Sequence, residues 1–116
     1  HLVIATIHAT SAPGAASRLL DMGLEPYLLT GSLKAILHQR LVRSADEKGR
    51  FPLAELLLPG GAFRKAVLAR ADADALFAAA KDDGMEPLIG AAKRAMEHGI
   101  ITESGLNHAL GKQGSS

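Results

Sequence analysis

Cysteine is absent from the chain of 116 residues, which excludes a disulfide framework and zinc sites built from thiolates. Aromatic residues make up 3% of the sequence and tryptophan is absent, so leucine and alanine dominate the apolar residues, a balance that favours helices. No charge of one sign dominates, since 13 Lys and Arg stand against 12 Asp and Glu, and this balance indicates neither nucleic acid nor an anionic membrane as a partner. No apolar run approaches the ~18 residues that span a bilayer. The absence of cysteine fits a cytosolic protein, and a length of 116 residues predicts one domain.

The first ten residues contain the strongest strand signal of the chain. Apolar and β-branched residues fill positions 2–7, between His1 and His8, and predict a strand buried on both faces, as in a parallel sheet. A polar turn follows, with Ser11 as a candidate helix cap. Because α/β proteins place ligand-binding groups at the carboxyl ends of such strands, His8 and Thr10 are candidates for a functional site.

Two helices are predicted after this strand. The first begins near Pro13 and ends at Gly23, where an apolar residue after glycine is typical of a left-handed helix stop. The second begins near Pro26 or Ser32 and runs to about Val42, because leucine and isoleucine recur there at helical spacing.

The middle of the chain carries the signal of a β-hairpin. A polar turn at 44–49 separates residues 41–44 from residues 50–58. Pro52 requires that the second strand lie at a sheet edge or that the proline stand at the start of the strand. After the breaker at 59–61 no strand signal appears, and helical spacing predicts helices at approximately 62–70, 72–83, 87–98 and 103–110. We therefore expect an α/β opening followed by a mostly helical region.

Several linked segments together resemble one protein family. They are H-L-V-x-x-T-x-H-x-T at 1–10, A-P-G-A at 12–15, R-L-L-D-M-G-L-E-P at 18–26, Q-R-L-V at 39–42, G-R at 49–50, E-L-L at 55–57, G-M-E-P-L-I at 84–89 and G-I-I-T at 99–102. In this order and spacing they resemble the histidine box and the C-terminal region of the type II secretion and type IV pilus assembly ATPases. The resemblance extends over nearly the whole chain.

This resemblance implies a fold and a place in a larger protein. The family consists of hexameric motors with a RecA-like P-loop NTPase core, so we expect the α/β class. Residues 1–43 would be the end of the RecA-like core, and residues 44–116 would form a hairpin and a mostly helical C-terminal region. Because the chain opens inside a predicted strand without Met at position 1, we expect it to be a C-terminal fragment.

The resemblance also implies a function for the parent protein. Such a motor uses ATP and Mg²⁺ to move pilins or pseudopilins, and it works as a cytoplasmic hexameric ring at the inner membrane, beside platform proteins of the secretion or pilus machinery. His1 and His8 would act as sensors that position groups around the γ-phosphate, since a neutral imidazole donates one hydrogen bond and accepts another. Neither histidine has a visible acidic partner, so we do not expect general-base catalysis.

Two family elements are missing from the sequence. It contains no G-x-x-x-x-G-K-S/T loop and no acidic strand for magnesium, so we expect no ATP hydrolysis by this chain alone. Secretion-type members commonly carry a four-cysteine zinc module where this chain has only residues 44–49, so we expect no zinc. His38, His98 and His108 lack the spacing of metal ligands and are interpreted as bystanders.

Two alternative functions remain open. Residues 87–110 predict a helix, a glycine-bearing turn and a second helix, which resembles a helix-turn-helix interaction module, although the near-neutral charge argues against nucleic acid. The chain could instead be a non-catalytic helical adaptor that kept the fold of the ATPase end without its motor. In either case the apolar edges of the opening strand lead us to expect poor solubility or self-association.

Overall fold

The computed structural model describes residues 4–114 of the chain, with side chains from residue 4 to residue 109. Six helices and two strands follow one another there: α1 (Ala12–Asp21), α2 (Pro26–Ser32), β1 (Ile36–Arg43), β2 (Arg50–Leu57), α3 (Gly61–Leu68), α4 (Ala73–Asp82), α5 (Leu88–Glu97) and α6 (Glu103–Gly114). The α/β class is therefore confirmed. Over the same residues, no helix combines the length and the apolarity that crossing a bilayer requires.

The predicted opening strand is wrong where the structure describes it. Residues 4–9 form neither helix nor strand, and Ile4 is 86% exposed. A strand needs a neighbour for its backbone hydrogen bonds, and within residues 4–114 the sheet has two strands, β1 and β2, which pair with each other. Positions 1–3 of the predicted strand, including His1, lie outside the described residues.

The second predicted helix is a short helix followed by a strand. Helix α2 begins at Pro26, as predicted, but ends at Ser32, and β1 occupies most of the stretch that was expected to continue the helix to Val42. Along β1 burial alternates residue by residue, so Leu37 and Leu41 lie on the exposed face. Their spacing of four residues satisfies both a helical and a strand pattern, and pairing with β2 decides between them.

The hairpin prediction is confirmed, with a first strand longer than expected. Strands β1 and β2 are antiparallel, and the Ser44 amide donates to the Gly49 carbonyl at 2.9 Å across the turn. In the turn, Asp46 Oδ1 accepts from Ser44 Oγ at 2.6 Å and from the Lys48 amide at 2.9 Å. These two hydrogen bonds, with the one from Ser44 the larger cause, lower the pKa of the Asp46 carboxyl.

The hairpin register explains how β2 accommodates Pro52. Because Ser44 and Gly49 are hydrogen-bonded partners, the next hydrogen-bonded pair is Val42 with Phe51, while Pro52 lies in a pair without hydrogen bonds. The missing amide proton of Pro52 therefore removes no bond to β1. Within residues 4–114, β2 has no strand on its other side, which confirms the predicted edge position.

Local signals set most helix ends as predicted. Side chains of Ser11, Asp72 and Thr102 accept hydrogen bonds at the N-termini of α1, α4 and α6, each at 2.9 Å. Three glycines with positive φ end helices, as predicted: Gly23, Gly84 and Gly99. Arg70 ends α3 in the same left-handed conformation, with φ of 56°, a stop that the sequence does not predict.

The described chain forms two compact units, each with its own core. The first comprises the residues up to Leu37 together with Leu56–Met85. The second comprises His38–Glu55 and the residues from Glu86 onward. The larger side chains of the first core are Leu29, Leu57, Phe63, Val67, Leu76 and Met85. The second core is built from Val42, Leu53, Ala92, Ala95, Ile101 and Leu106. The predicted division assigns residues 1–43 to the end of a nucleotide-binding core and residues 44–116 to a C-terminal region. This division stays a prediction.

Candidate functional site

His8 lies in the irregular segment that leads into α1. Its side chain is exposed, and it precedes the helix cap Ser11 by three residues. The exposed Thr10 lies between them. His1, the other half of the predicted sensor pair, lies outside the described residues, so the pair stays a prediction.

The N-terminus of α1 is built by small residues. Ser11 has extended backbone, and its Oγ accepts a hydrogen bond from the Gly14 amide at 2.9 Å. A Cβ at Gly14 would stand 2.9 Å from that same Oγ, so glycine lets the cap approach. The first turn contains no acidic residue, and Ala12 and Pro13 are buried. No carboxylate in the first turn therefore neutralises the partial positive charge at this end of α1. This helix end is close in sequence to His8.

Glu55 is a structurally important acid whose role the sequence pattern does not predict. It is 2% exposed, and its Oε2 accepts a hydrogen bond from the Leu88 amide at 2.9 Å, at the start of α5. Pro87 at the cap position of α5 offers no side-chain acceptor, so a residue of β2 supplies it. Because proline has no polar side chain, its place at the N-cap is the local signal that the capping acceptor comes from another part of the chain.

His38 and Glu55 face the same side of the hairpin. The matched strand ends and alternating burial put them opposite each other in the register. Burial lowers the pKa of His38; the charge of Glu55 raises it by less, and Arg40 lowers it further. His38 Nε2 is buried without a hydrogen-bond partner. His38, interpreted from the sequence as a bystander, has a partly buried imidazole that is coupled to the charge of Glu55.

Two open cavities occur in the described residues, and His8 is not among the lining residues of either. One, of about 320 Å³, is bounded by β2 and α5, with Arg94 and His98 among its lining residues. The other, of about 350 Å³, is lined by Asp21, Arg70 and Asp72 together with small and apolar residues. Among the side chains described, from residue 4 to residue 109, no group of three His, Asp or Glu residues is arranged to hold a metal ion.

Comparison with known proteins identifies relatives of the chain. The sequence model of the family described as "Type II/IV secretion system protein" matches residues 1–108. The chain is 60% identical over 43 residues to the type IV pilus assembly ATPase PilB of Myxococcus xanthus, covering 37% of this chain and 8% of that protein. It is 56% identical over 52 residues to the type II secretion system protein E of Dickeya dadantii, covering 45% of this chain and 10% of that protein.

A third relative, like the first, is named an ATPase. The chain is 54% identical over 44 residues to the type II secretion system ATPase E of Vibrio cholerae, covering 38% of this chain and 9% of that protein. In each of these three comparisons the matched segment is a tenth or less of the relative's own length.

Proposed function

The chain belongs to the type II/IV secretion system protein family, and from this premise we propose that it is a portion of an ATPase that powers type II secretion or type IV pilus assembly. The family match over residues 1–108 carries the proposal. Relatives named for both processes match it at 54–60% identity, so the parent could serve either one. The parent couples ATP hydrolysis to the movement of pilins or pseudopilins.

In this proposal His8 senses the γ-phosphate. Its exposed imidazole can donate one hydrogen bond and accept another, and it lies close in sequence to a helix N-terminus without an acidic residue in its first turn. The partial positive charge of the helix N-terminus suits an anionic ligand better than a cation. His1, seven residues earlier in the sequence, is proposed as the second sensor.

The described residues do not fit a magnesium site. Over residues 4–109 no group of three His, Asp or Glu side chains could hold a metal ion, and the sequence has no phosphate loop. We therefore derive no step through Mg²⁺ from these residues. Other parts of the parent would hold the phosphates and the metal, and this chain would contribute the sensing segment and packing surface.

The assembly is part of the same proposal. The parent forms a cytoplasmic hexameric ring, peripheral at the inner membrane, and contacts the platform proteins of the secretion or pilus machinery. In that ring His8 reports the state of the nucleotide to a neighbouring subunit.

The helix-turn-helix alternative has less support. Helices α5 and α6 are joined by a glycine turn as that hypothesis requires, but the turn is held by the hairpin. The Ala45 amide donates to the Ile100 carbonyl at 2.8 Å, and Ser44 forms a β-bridge with Ile101. The buried Ile101 and Leu106 belong to the second core, so this segment packs as part of the unit.

Phosphate release from ATP tests the proposal, with the full-length protein and the 116-residue chain assayed side by side. We expect hydrolysis by the full-length protein, lost on chelation of Mg²⁺, and no hydrolysis above background by the chain. A full-length protein that neither binds nor hydrolyses ATP would favour the non-catalytic adaptor. Hydrolysis by the chain alone would show that its own residues hold the phosphates.

A further inference from the structure

The cavity beside β2 is a groove that follows the edge of a strand. Four consecutive residues of β2, 51–54, line it. Successive side chains of a strand point to opposite faces, so a groove that meets four residues in a row fits a course along the strand's edge, where backbone atoms line it as well. The groove lies wholly within the second compact unit and has a volume of about 320 Å³.

Unpaired backbone groups face this groove. The register set by Ser44 and Gly49 directs the amide and carbonyl of Phe51 and Leu53 towards β1. The carbonyl of Pro52 and both backbone groups of Ala54 therefore point to the other side, where no strand lies within residues 4–114. One donor and two acceptors are available there for an added strand.

Helix α5 supplies a small apolar wall and a polar rim. Ala91 and Ala95, one turn apart, line the groove and leave room for a side chain. Arg94 and His98, also one turn apart, line it as well. Arg94 is paired with Glu86, and because the side chains of both are well exposed, at 64% and 47%, a competing carboxylate can replace Glu86.

We propose that this groove binds an extended acidic segment of a partner protein as a third strand on β2. The free edge requires an extended backbone, since only a strand presents donors and acceptors at the matching interval. The alanines leave space for an apolar side chain of that segment, and its carboxylate accepts hydrogen bonds from Arg94 and His98. None of the residues lining this groove belongs to the His8 segment, and the proposal does not depend on the ATPase activity of the parent.

A display library of random octapeptides, selected against the full-length protein, tests the proposal. We expect enriched peptides in which acidic and apolar residues alternate. Synthetic copies of them should bind Arg94→Glu at least about tenfold more weakly, because the charge-assisted bond becomes a repulsion. Lys93→Glu is the matched control, since it makes the same charge change on α5 at an exposed residue that does not line the groove. It should change binding by less than about threefold.

Ala54→Pro tests the backbone part of the proposal. It removes the edge amide while leaving the bonds to β1, as Pro52 already does. Peptide binding should be lost while the thermal unfolding midpoint changes little. The proposal is wrong if no peptide is enriched. That result would be expected if a second copy of the chain, or another segment of the same protein, filled the groove. The proposal is also wrong if enriched peptides are basic, or if they bind Arg94→Glu as tightly as the unchanged protein.

Discussion

At the scale of the residue, Glu55 shows how one side chain can join three elements. It belongs to β2, faces His38 of β1 and accepts the Leu88 amide that begins α5, all within the second unit. A buried carboxylate is costly unless its oxygens are hydrogen-bonded, and here a helix N-terminus also offers partial positive charge. The His38 imidazole is half-buried beside the Glu55 carboxylate.

Substituting Glu55 should therefore separate the hydrogen bond from the charge. Glu55→Gln keeps an acceptor oxygen for the Leu88 amide, whereas Glu55→Ala leaves the amide without one. We expect Glu55→Ala to lower the free energy of unfolding by about 2–3 kcal/mol and Glu55→Gln by about half as much. Urea denaturation measures both values, with the exposed Glu97→Ala as the control. Equal losses in the two Glu55 variants would contradict the capping role.

The lowered pKa of His38 predicts a pH dependence of stability. Because burial lowers this pKa below 6.5 in the folded state, the unfolded chain binds the proton more readily. Stability should be full above pH 6.5 and should fall as the pH drops from 6.5 through the folded pKa. Unfolding followed between about pH 5 and about pH 8 should show this slope, reduced in His38→Gln and retained in His108→Gln. An unchanged slope in His38→Gln would assign it to another group.

At the scale of the element, a side chain of one helix caps another helix of the first unit. The Asp83 carboxylate, at the end of α4, accepts the Ala62 amide at 3.1 Å and the Phe63 amide at 2.8 Å, both in the first turn of α3. The cap residue of α3 is Gly60, which has no side chain to do this. A Cβ at Gly60 would stand 2.5 Å from Asp83 Cγ, so glycine is required for the approach.

This arrangement predicts coupling between the two residues. Asp83→Ala should lower the free energy of unfolding by about 1 kcal/mol, the usual value of an N-cap. Gly60→Ala should cost a similar amount because it displaces the Asp83 side chain, and the double variant should cost less than the sum. Denaturant unfolding of the singles and the double measures the coupling, with Asp82→Ala as the neighbouring control. Full additivity would show that the two residues act independently.

Sequence reasoning predicted the elements that depend on local signals. The caps at Ser11, Asp72 and Thr102 and the glycine stops need only a few adjacent residues, and the hairpin turn is marked by its polar run. It failed at β1, because Leu37 and Leu41 fit two periodicities and only pairing with β2 selects the strand. It also could not predict the cap that Asp83 provides for α3, which lies about twenty residues away in sequence.

At the scale of the whole molecule, the described chain forms two units that alternate along the sequence. Each draws on two separated segments, and the hairpin strands are divided between them. Helical and strand periodicities report which residues are buried but not which core they enter, so this arrangement was not predictable from them. The family, in contrast, was predictable, because matched segments occur in order along nearly the whole chain.

The candidate site was predictable only in part. His8 was singled out from its place after an apolar run and from the resemblance, and the structure places it, exposed, just before the cap of α1. The role proposed for His8 would depend on groups outside the described residues, and local patterns cannot supply their positions. Glu55 and the β2 groove escaped sequence reasoning because each is formed by residues that meet only in the folded unit.

The central claim, that His8 senses the γ-phosphate, is tested most directly by nucleotide affinity in the full-length protein. The ratio of the ADP to the ATP dissociation constant is measured for the unchanged protein, for His8→Ala and for His108→Ala, whose imidazole is also exposed. We expect His8→Ala to lower this ratio about tenfold or more, the effect of losing one hydrogen bond to a charged group, and His108→Ala to leave it unchanged. An unchanged ratio in His8→Ala would contradict the account.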